Sequence, residues 1–341
     1  MNRRNLIVSG MAGAASLALG SGSASAKHHK KTSETGVNRN LKGDFLDLTT
    51  PAGNREAFAR MAGNTDMTST KYGWFSGVVH GVLPGEKVRD LVGFSGFSCA
   101  KLLPTIAGEG TGYRKVLREV GFYTDLKTGE VLEEWENPYL NEKVRVVPIA
   151  NDPFNHTITD YVIAPPSYGG LNKEKPPKIP FLLDWSRKND SLNMASRINL
   201  FYPSALQPEQ WPRESGSKFN QVSEMFLYQL SWDEMQNPDL TAIETRGTWN
   251  RITPWLPWML MGPSEGHCVY TCFMGSGDTL DLADPKIVEY AAKHYPKYLE
   301  APEKWEEPSL SSLEWYAREQ KPAPLPADGI IPVAKAKPLK Y

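Results

Sequence analysis

Apolar and polar residues alternate along most of the chain between about residue 71 and residue 275. A period of two is typical of strands that bury one face, and these runs are rich in aromatic and β-branched residues. Short turn sequences such as Asn189-Asp190 separate several of them, so consecutive strands are expected to pair antiparallel. The pattern predicts a mainly β fold, a large antiparallel barrel-like (lipocalin-like) sheet with flanking helices. The nine runs are KYGWFSGVVHGV, RDLVGFSGFSC, YRKVLREVGFYTD, EVLEEWENP, EKVRVVPI, IPFLLDWSRK, SLNMASRINLFYP, SEMFLYQLSW and GHCVYTCFMG.

Helical spacing appears on both flanks of this region. One helix is predicted near residues 53–62, and a second begins at Asp284-Pro285, a pair that suits a helix start. A proline-rich segment, residues 321–341, follows with too few apolar residues to fold alone. We therefore expect one domain over residues 27–320 and an extended tail over 321–341, lying along this subunit or along a second copy in a homo-oligomer. The second helix carries its apolar residues on one side, at Ile287, Tyr290, Ala291 and Tyr295.

The first 26 residues have the composition of an export signal. Arg3-Arg4 gives a basic start of the twin-arginine type, a short stretch of small apolar residues follows, and Ala24-Ser25-Ala26 fits a cleavage site. The apolar stretch is about half of the roughly 20 residues that span a bilayer. We expect a periplasmic or secreted protein that has no contact with the membrane after the signal is removed.

The charge balance is nearly even, with 38 Lys and Arg residues against 39 Asp and Glu residues and no basic stripe. Such a surface offers no phosphate-neutralising footprint, so nucleic acid is excluded as a partner. The chain also lacks a phosphate-binding glycine loop, a His-Glu-X-X-His motif, a Gly-X-Ser-X-Gly elbow and a dinucleotide fingerprint. We expect no cofactor and no metal.

Three cysteines, Cys99, Cys268 and Cys272, are too few for a disulfide framework. If GHCVYTCFMG is a strand, Cys268 and Cys272 lie about 13 Å apart on one face, because each residue advances about 3.3 Å. They then cannot bond to each other, and they are too far apart to bind one metal ion together with His267. Pairing of Cys99 with either of them stays open beside the alternative of buried thiols.

Several segments together carry a family resemblance. They are GFYTDLKTGEVLEEWENPY, NDPFN and TWNRITPWLPWMLMG, the last followed by YTCFMGS. In this order they resemble domain-of-unknown-function family 1838, a group of bacterial and fungal proteins, over roughly residues 44–300. The resemblance implies a shared architecture. It implies no activity and no catalytic residues.

The hairpin over residues 181–202 offers one candidate site. A two-residue turn at Asn189-Asp190 pairs Asp184 with residue 195 and brings Asp184 diagonal to Arg197, with Asn193 on the same face. The opposite face is apolar. Either the polar face is solvent-exposed and carries a surface ion pair, or it lines a cavity where Asp184 acts as a base and Arg197 supports an oxyanion.

Other candidates are single residues with acid–base chemistry. His80 shares a strand face with Trp74, and His156 lies in the segment NDPFNHT at a strand end, where functional groups are often displayed. Tyr123 is a candidate acid. For each histidine, a structural or solvated role remains the alternative.

The segment TWNRITPWLPWMLMG concentrates Trp249, Trp255 and Trp258 beside two prolines. Thr253 can cap a short helix with Pro254 at its first position and Gly262 at its end, which places Trp255 and Trp258 on one side. These tryptophans either pack in the core or form a rigid aromatic lid over a ligand cavity.

Two functions fit these patterns. The first is an exported, cofactor-independent enzyme that acts by acid–base chemistry on a hydrophobic aromatic small molecule, for example a lyase or ether-cleaving enzyme for lignin-type aryl ethers. The alternative is a lipocalin-like binding protein for a hydrophobic ligand. A wholly apolar cavity favours binding, whereas a buried carboxylate beside a cation favours catalysis.

Overall fold

A computed structural model describes residues 40–163, 178–306 and 310–335 of the chain. The helices are α1 (Pro51–Ala62), α2 (Trp232–Gln236), α3 (Pro285–His294) and α4 (Ser312–Glu319). The strands are β1 (Lys71–Val82), β2 (Arg89–Pro104), β3 (Gly112–Thr124), β4 (Glu134–Asn137), β5 (Glu142–Arg145), β6 (Ile149–Asn151), β7 (His156–Thr159), β8 (Tyr161–Ile163), β9 (Lys178–Pro180), β10 (Asp184–Lys188), β11 (Ser191–Pro203), β12 (Phe219–Ser231), β13 (Thr245–Thr253) and β14 (His267–Gly277). The predicted signal peptide, residues 1–26, lies outside the described residues.

Ten of these strands form one antiparallel sheet in the order β10-β11-β12-β13-β14-β1-β2-β3-β6, with β7 also paired to β3. The mainly β, antiparallel prediction is thus confirmed. The sheet is not a closed barrel, because its two outer strands along this path, β10 and β6, are not paired with each other. The remaining strands form two small sheets, β4-β5 and β8-β9.

The sheet is strongly curled. Phe94 lies on β2 and Trp249 on β13, with two strands between them. In a flat sheet such residues would be about 14 Å apart, since neighbouring strands are about 4.8 Å apart, yet the two ring centroids are separated by 6.2 Å. Curling therefore creates a concave inner face, which these aromatic residues fill. We call the opposite, convex side the outer face.

Most predicted strands are present, and β13 is the main strand that the pattern did not mark. Its inward-facing positions include Arg251 and Thr253, while Ile252 on the outer face is 42 % exposed. The usual rule of apolar inside and polar outside is reversed along part of this strand, so hydrophobic alternation does not reveal it.

The predicted hairpin register is confirmed by the pairs Asp184↔Ala195, Ser186↔Asn193 and Lys188↔Ser191. Asn189 adopts the left-handed conformation that the tight turn requires, with φ of 55°. Because the register is fixed, the face on which each hairpin side chain lies is also fixed.

Both predicted helices are present. The Asp284 side chain caps α3 by accepting a hydrogen bond of 3.0 Å from the backbone N–H of Lys286. Ile287 and Ala291 of α3 are fully buried against the outer face of β2 and β3. At the opposite side of the sheet, α1 covers one end of the inner face.

All three cysteines are buried and free, so no disulfide joins them. Cys99 packs on the outer face under α3, whereas Cys268 and Cys272 belong to the core on the inner face. Burial raises the pKa of each thiol to about 12. These residues therefore behave as small apolar core residues.

Beyond α4, residues 320–335 run without regular secondary structure along the surface of the same subunit. The backbone N–H of Ala334 donates to Ser264 Oγ at 3.0 Å, and that of Ala323 donates to Glu214 Oε1 at 2.6 Å. No helix among the described residues is long and apolar enough to cross a membrane.

Candidate functional site

A cavity of about 670 Å³ opens at the end of the inner face that α1 leaves uncovered. Its floor consists of inward-facing side chains of β3, β11, β12, β13 and β14. One wall is the segment between β13 and β14, and another is α4 with the chain that precedes it. The volume is in the range of small-molecule sites. The principal floor and wall residues are Tyr123, Tyr202, Asn220, Arg251, Tyr270, Trp255, Trp258 and Tyr316.

Hydroxyl groups are concentrated on the floor. The hydroxyl oxygens of Tyr123 and Tyr270 are 3.1 Å apart, and Asn220 Nδ2 donates to the Tyr202 hydroxyl at 2.6 Å. Burial raises the pKa of Tyr123 to about 12 and that of Tyr270 well above its ordinary value. Both phenols are therefore protonated at neutral pH; one O–H is donated within the pair, and the other is available to a ligand.

Arg251 brings a positive charge to this floor. Its side chain is 14 % exposed, and its guanidinium carbon lies 5.9 Å from the centroid of the Tyr270 ring. Burial opposes the charged form, but Glu224 and the surrounding tyrosines keep the pKa of Arg251 above its usual value. The guanidinium therefore stays charged, and its Nε has no hydrogen-bond partner among the described residues.

The carboxyl group nearest to Arg251 is that of Glu224, which lies beneath the floor and does not line the cavity. Register pairs the two residues across β12 and β13, and their side chains form a loose ion pair at 3.5 Å. Burial raises the pKa of Glu224 to about 7, while Arg251 acts in the opposite direction. Glu224 is thus close to half-ionised at neutral pH.

A second buried carboxyl lies nearby on β3. Glu119 Oε1 accepts a hydrogen bond of 3.0 Å from Asn151 Nδ2. Burial raises the pKa of Glu119 well above its ordinary value; the Asn151 bond opposes this shift and the negative charge of Glu224 adds to it. Two carboxyl groups therefore lie beneath the cavity within electrostatic reach of one guanidinium.

The tryptophan-rich segment forms an aromatic wall. Trp258 packs against Tyr123 with 4.9 Å between ring centroids, and Trp255 Nε1 donates to the carbonyl of Glu265 at 3.0 Å. Both rings are buried and line the cavity, so they contribute to the core and to the site at once. Trp249 is deeper, 1 % exposed, in the aromatic cluster below the floor.

The predicted helix over residues 254–262 is wrong in its bounds. β13 continues to Thr253, because that residue pairs with Cys268 on β14. A short 3₁₀ helix then spans Pro257–Met259, and Leu260 ends it in the left-handed conformation, with φ of 57°. The prolines still fix the segment, but the strand takes the residues that were expected to begin the helix.

The structure brings Tyr123, Trp255 and Trp258 together in the cavity, and it does not bring the predicted hairpin residues there. Asp184 and Arg197 are exposed on the outer face, and no ion pair joins them within the described ranges. Asn193 shares that face, where its Nδ2 donates to Ser191 Oγ at 3.3 Å. The apolar side of the hairpin faces the core, so its polar side is directed away from the cavity.

The two histidines are also outside the cavity. His80 is on the outer face, where Nδ1 lies 2.7 Å from Asp90 Oδ1 and Nε2 lies 2.8 Å from Thr271 Oγ1. Trp74, on the same face, packs beside the α3 cluster. His156 on β7 lies beside Lys115, and burial, assisted by the Lys115 charge, lowers its pKa to about 3. His156 is therefore neutral.

The sequence analysis missed five of the principal lining residues, Tyr202, Asn220, Arg251, Tyr270 and Tyr316, and it also missed Glu224 beneath the floor. Part of this set could have been found from strand spacing. Arg251 is two residues from Trp249, and Tyr270 is two residues from both Cys268 and Cys272, so each shares a strand face with residues that were singled out. Within the described ranges, no group of three or more metal-ligating side chains is assembled.

Comparison with known protein families places the chain in one of them. The model of a family described as "protein of unknown function (DUF1838)" matches residues 68–320, which include the whole ten-stranded sheet and α4. No curated protein matches the chain. The resemblance noted in the sequence is thereby confirmed.

Proposed function

Because the chain belongs to the DUF1838 family of proteins of unknown function, its function has to be inferred from the cavity, and we propose a cofactor-independent enzyme. In this proposal the enzyme acts by acid–base chemistry on an aromatic small molecule that carries an oxygen substituent. The single observation that carries the proposal is Arg251, a charged guanidinium only 14 % exposed beside the Tyr123–Tyr270 hydroxyl pair on the floor of an aromatic cavity.

The floor is suited to an oxyanion. Charged and neutral donors aimed at one position stabilise negative charge that develops on a substrate oxygen, and the effect is larger where water is excluded. Arg251 supplies the charge, and the Tyr123–Tyr270 hydroxyl pair supplies one further hydrogen bond from the O–H that is not donated within the pair. A phenolate that departs from an aryl ether, as in lignin-type compounds, is an anion of this kind.

The walls are suited to the rest of such a molecule. Trp255, Trp258 and Tyr316 present ring surface around the opening. Aromatic rings prefer offset or edge-to-face contacts with other rings, and each such pair contributes about 0.5–1.5 kcal/mol beyond area burial. An aromatic ligand would therefore place its rings against the walls and its oxygen against Arg251.

We assign the role of base to Glu224. Its pKa of about 7 suits proton transfer at neutral pH, and it lies 3.5 Å from Arg251. Because Glu224 does not line the cavity, it would take the proton through one bridging water molecule. A proton removed from a substrate hydroxyl leaves an alkoxide, whose oxygen bonds to the adjacent carbon and forms an epoxide. The ether bond from that carbon breaks, the phenolate leaves towards Arg251, and the proton held by Glu224 returns to it through the same water molecule.

The position of Glu224 also favours a second candidate, the lipocalin-like binding protein. A carboxyl group that only balances the charge of Arg251 would make the cavity an anion-selective receptor for aromatic ligands, without turnover. Both candidates require Arg251, and only the enzyme requires Glu224.

The test measures binding and turnover separately. Binding of a simple phenol such as guaiacol is followed by tryptophan fluorescence, and turnover of a lignin-type β-aryl ether dimer by chromatography of the released phenol. Arg251→Met combined with Glu224→Gln removes both charges together. It should weaken binding about 10- to 150-fold, since a charge-assisted hydrogen bond contributes about 1.5–3 kcal/mol. Arg197→Met, on the outer face, is the matched control.

Glu224→Gln alone decides between the two functions. The enzyme predicts binding within about twofold of wild type and turnover reduced about 10²- to 10⁴-fold, the usual contribution of general acid–base catalysis. Unchanged binding by Glu224→Gln, together with no turnover by the wild type, supports the receptor. Binding that is indifferent to Arg251 would overturn both.

A further inference from the structure

The lining of the aromatic cavity carries more positive than negative charge. The chain as a whole is balanced, with 38 Lys and Arg residues against 39 Asp and Glu residues. A net charge on the wall of a cleft concentrates ligands of the opposite sign there. The cavity is therefore suited to a ligand that is an anion before any reaction takes place. Its charged lining residues are Arg145, Arg251, Lys297 and Arg318, against Glu214 and Glu319.

Three of the four cations have an acidic partner, and Arg145 does not. The three pairs, measured from the basic nitrogen to the carboxylate oxygen, are Lys297–Asp152 at 2.7 Å, Arg318–Glu319 at 2.6 Å and Arg251–Glu224 at 3.5 Å. Within the part of the chain that the structure describes, Arg145 makes neither an ion pair nor a hydrogen bond. The cavity therefore has one cation whose charge no protein group balances directly.

The glutamates closest to Arg145 by register and sequence are engaged elsewhere. Glu134 lies opposite Arg145 in the pairing of β4 with β5, but its carboxylate forms an ion pair with Lys143. Glu133 accepts a hydrogen bond of 3.5 Å from the Tyr290 hydroxyl. Neither of these glutamates lines the cavity. The N–H groups of the Arg145 guanidinium are therefore available to a ligand.

Arg145 and Arg251 lie at different depths in the cavity. The side chain of Arg251 is 14 % exposed, and its charge acts on the tyrosines of the floor. Arg145, at the end of β5, is exposed. Burial raises the pKa of Tyr295 and of Tyr316 in the cavity walls, and the positive charge of Arg145 opposes both shifts. One cation is thus on the floor and the other is beside the walls at the opening.

We propose that Arg145 binds a carboxylate, so that the substrate of the cavity is an aromatic carboxylic acid. This inference rests on the proposed function, because it places the reacting oxygen of the same molecule at Arg251. A guanidinium presents two parallel N–H groups that match the two oxygens of a carboxylate. One unbalanced cation also matches the single charge of a carboxylate, whereas a phosphate ester carries nearly two charges.

The experiment compares two acids with their methyl esters, which have the same ring and phenol without the charge. The acids are vanillate and ferulate, whose carboxylate is two carbons further from the ring, and binding is measured by titration calorimetry at pH 7. At low salt, at least one acid should bind the wild type about 3- to 10-fold more tightly than its ester. This range lies between the contribution of an exposed ion pair and that of a charged hydrogen bond.

Arg145→Met should remove this advantage by weakening the acid, and it should leave the ester within about twofold of its wild-type affinity. Arg246→Met, at an exposed position on the outer face of β13, is the matched control and should keep the full advantage. Salt gives a second readout. The advantage should shrink at about 0.5 M salt, because charges at the opening are screened by the solvent.

The esters separate failure of this inference from failure of the proposed function. If the esters bind, and the double variant Arg251→Met with Glu224→Gln weakens them, but neither acid gains over its ester, the role of Arg145 is overturned and the proposed function stands. An advantage that survives Arg145→Met also overturns that role, because another cation then holds the carboxylate. If neither acids nor esters bind, both proposals are overturned.

Discussion

Replacement of Glu224 by Gln should make the protein more stable at pH 8 and leave its stability unchanged near pH 4.5. Glu224 is 2 % exposed, and burial raises its pKa from 4.5 to about 7. Near pH 4.5 and below, Glu224 is protonated in the folded protein, so the fold does not carry the cost of a buried carboxylate. As pH rises towards 7, the unfolded chain releases the proton while the folded protein retains it, so the free energy of unfolding falls.

The size of the effect follows from the pKa shift. Each pKa unit corresponds to about 1.4 kcal/mol, so a shift from 4.5 to about 7 lowers the free energy of unfolding by about 3 kcal/mol above pH 7. Glutamine has the shape of the protonated acid and does not ionise. The Glu224→Gln variant should therefore gain about 3 kcal/mol over wild type at pH 8. The buried carboxyl of Glu119 also makes the free energy of unfolding fall as pH rises. It does so in both proteins, so most of its contribution cancels in the comparison.

Urea unfolding at pH 5, 6, 7 and 8, followed by tryptophan fluorescence, measures this difference. Glu289→Gln, at an exposed position of α3, is the matched control and should run parallel to wild type at every pH. Parallel pH profiles for wild type and Glu224→Gln would refute the reasoning, because they would mean that the Glu224 carboxyl has the same pKa in the folded and unfolded chains.

Three further predictions concern the core. Ile287→Ala, which removes the fully buried anchor of α3, should lower the free energy of unfolding by about 2–5 kcal/mol. Glu289→Ala, on the exposed side of the helix, should change it by no more than about 0.5 kcal/mol. Equal urea midpoints for the two variants would contradict the packing of α3. Phe94→Ala should lower the free energy of unfolding by about 3–5 kcal/mol, because the Phe94 ring contacts four other aromatic rings. An unfolding free energy close to that of the wild type in the same assay would argue against the curled sheet. A thiol reagent such as dithionitrobenzoate should label no cysteine in the folded protein at pH 8 and all three after unfolding, since burial raises their pKa; fast labelling of the folded protein would contradict that burial. The three are Cys99, Cys268 and Cys272.

Much of the sheet could be predicted because burial on one face leaves a period-two signature. β11 was predicted with the bounds it has, Ser191–Pro203, since its inward residues are apolar. β13 was missed for the opposite reason. Its inner face carries Arg251 next to the cavity, and a charged residue at an inward position breaks the pattern that identifies a strand.

The candidate site was predictable only where one residue type carried the signal. Trp255 and Trp258 were found because tryptophans beside prolines are conspicuous in any sequence. The pairing of Arg251 with Glu224 depends on how β12 and β13 align, which the sequence does not specify. The hairpin shows the same limit of sequence analysis. Its register was predicted correctly, but the direction in which the sheet curls places Asp184 and Arg197 on the convex side, and the hairpin sequence does not specify that direction.

The place of β1 and β14 in the sheet has a consequence for how the protein folds. Val82 pairs with His267 across the middle of the sheet, so this seam joins segments far apart in sequence, while β1–β3 and β10–β14 are two meanders of sequential neighbours. Closing so long a loop is slow, because its entropy is lost before the seam is formed. We expect the two meanders to form first as separate units and the seam to be the late, rate-limiting event. Tyr123 belongs to one meander, and Arg251 and Tyr270 belong to the other. The cavity floor therefore does not exist in either half, and a chain that opens at the seam loses its site while most of its strand pairs are intact.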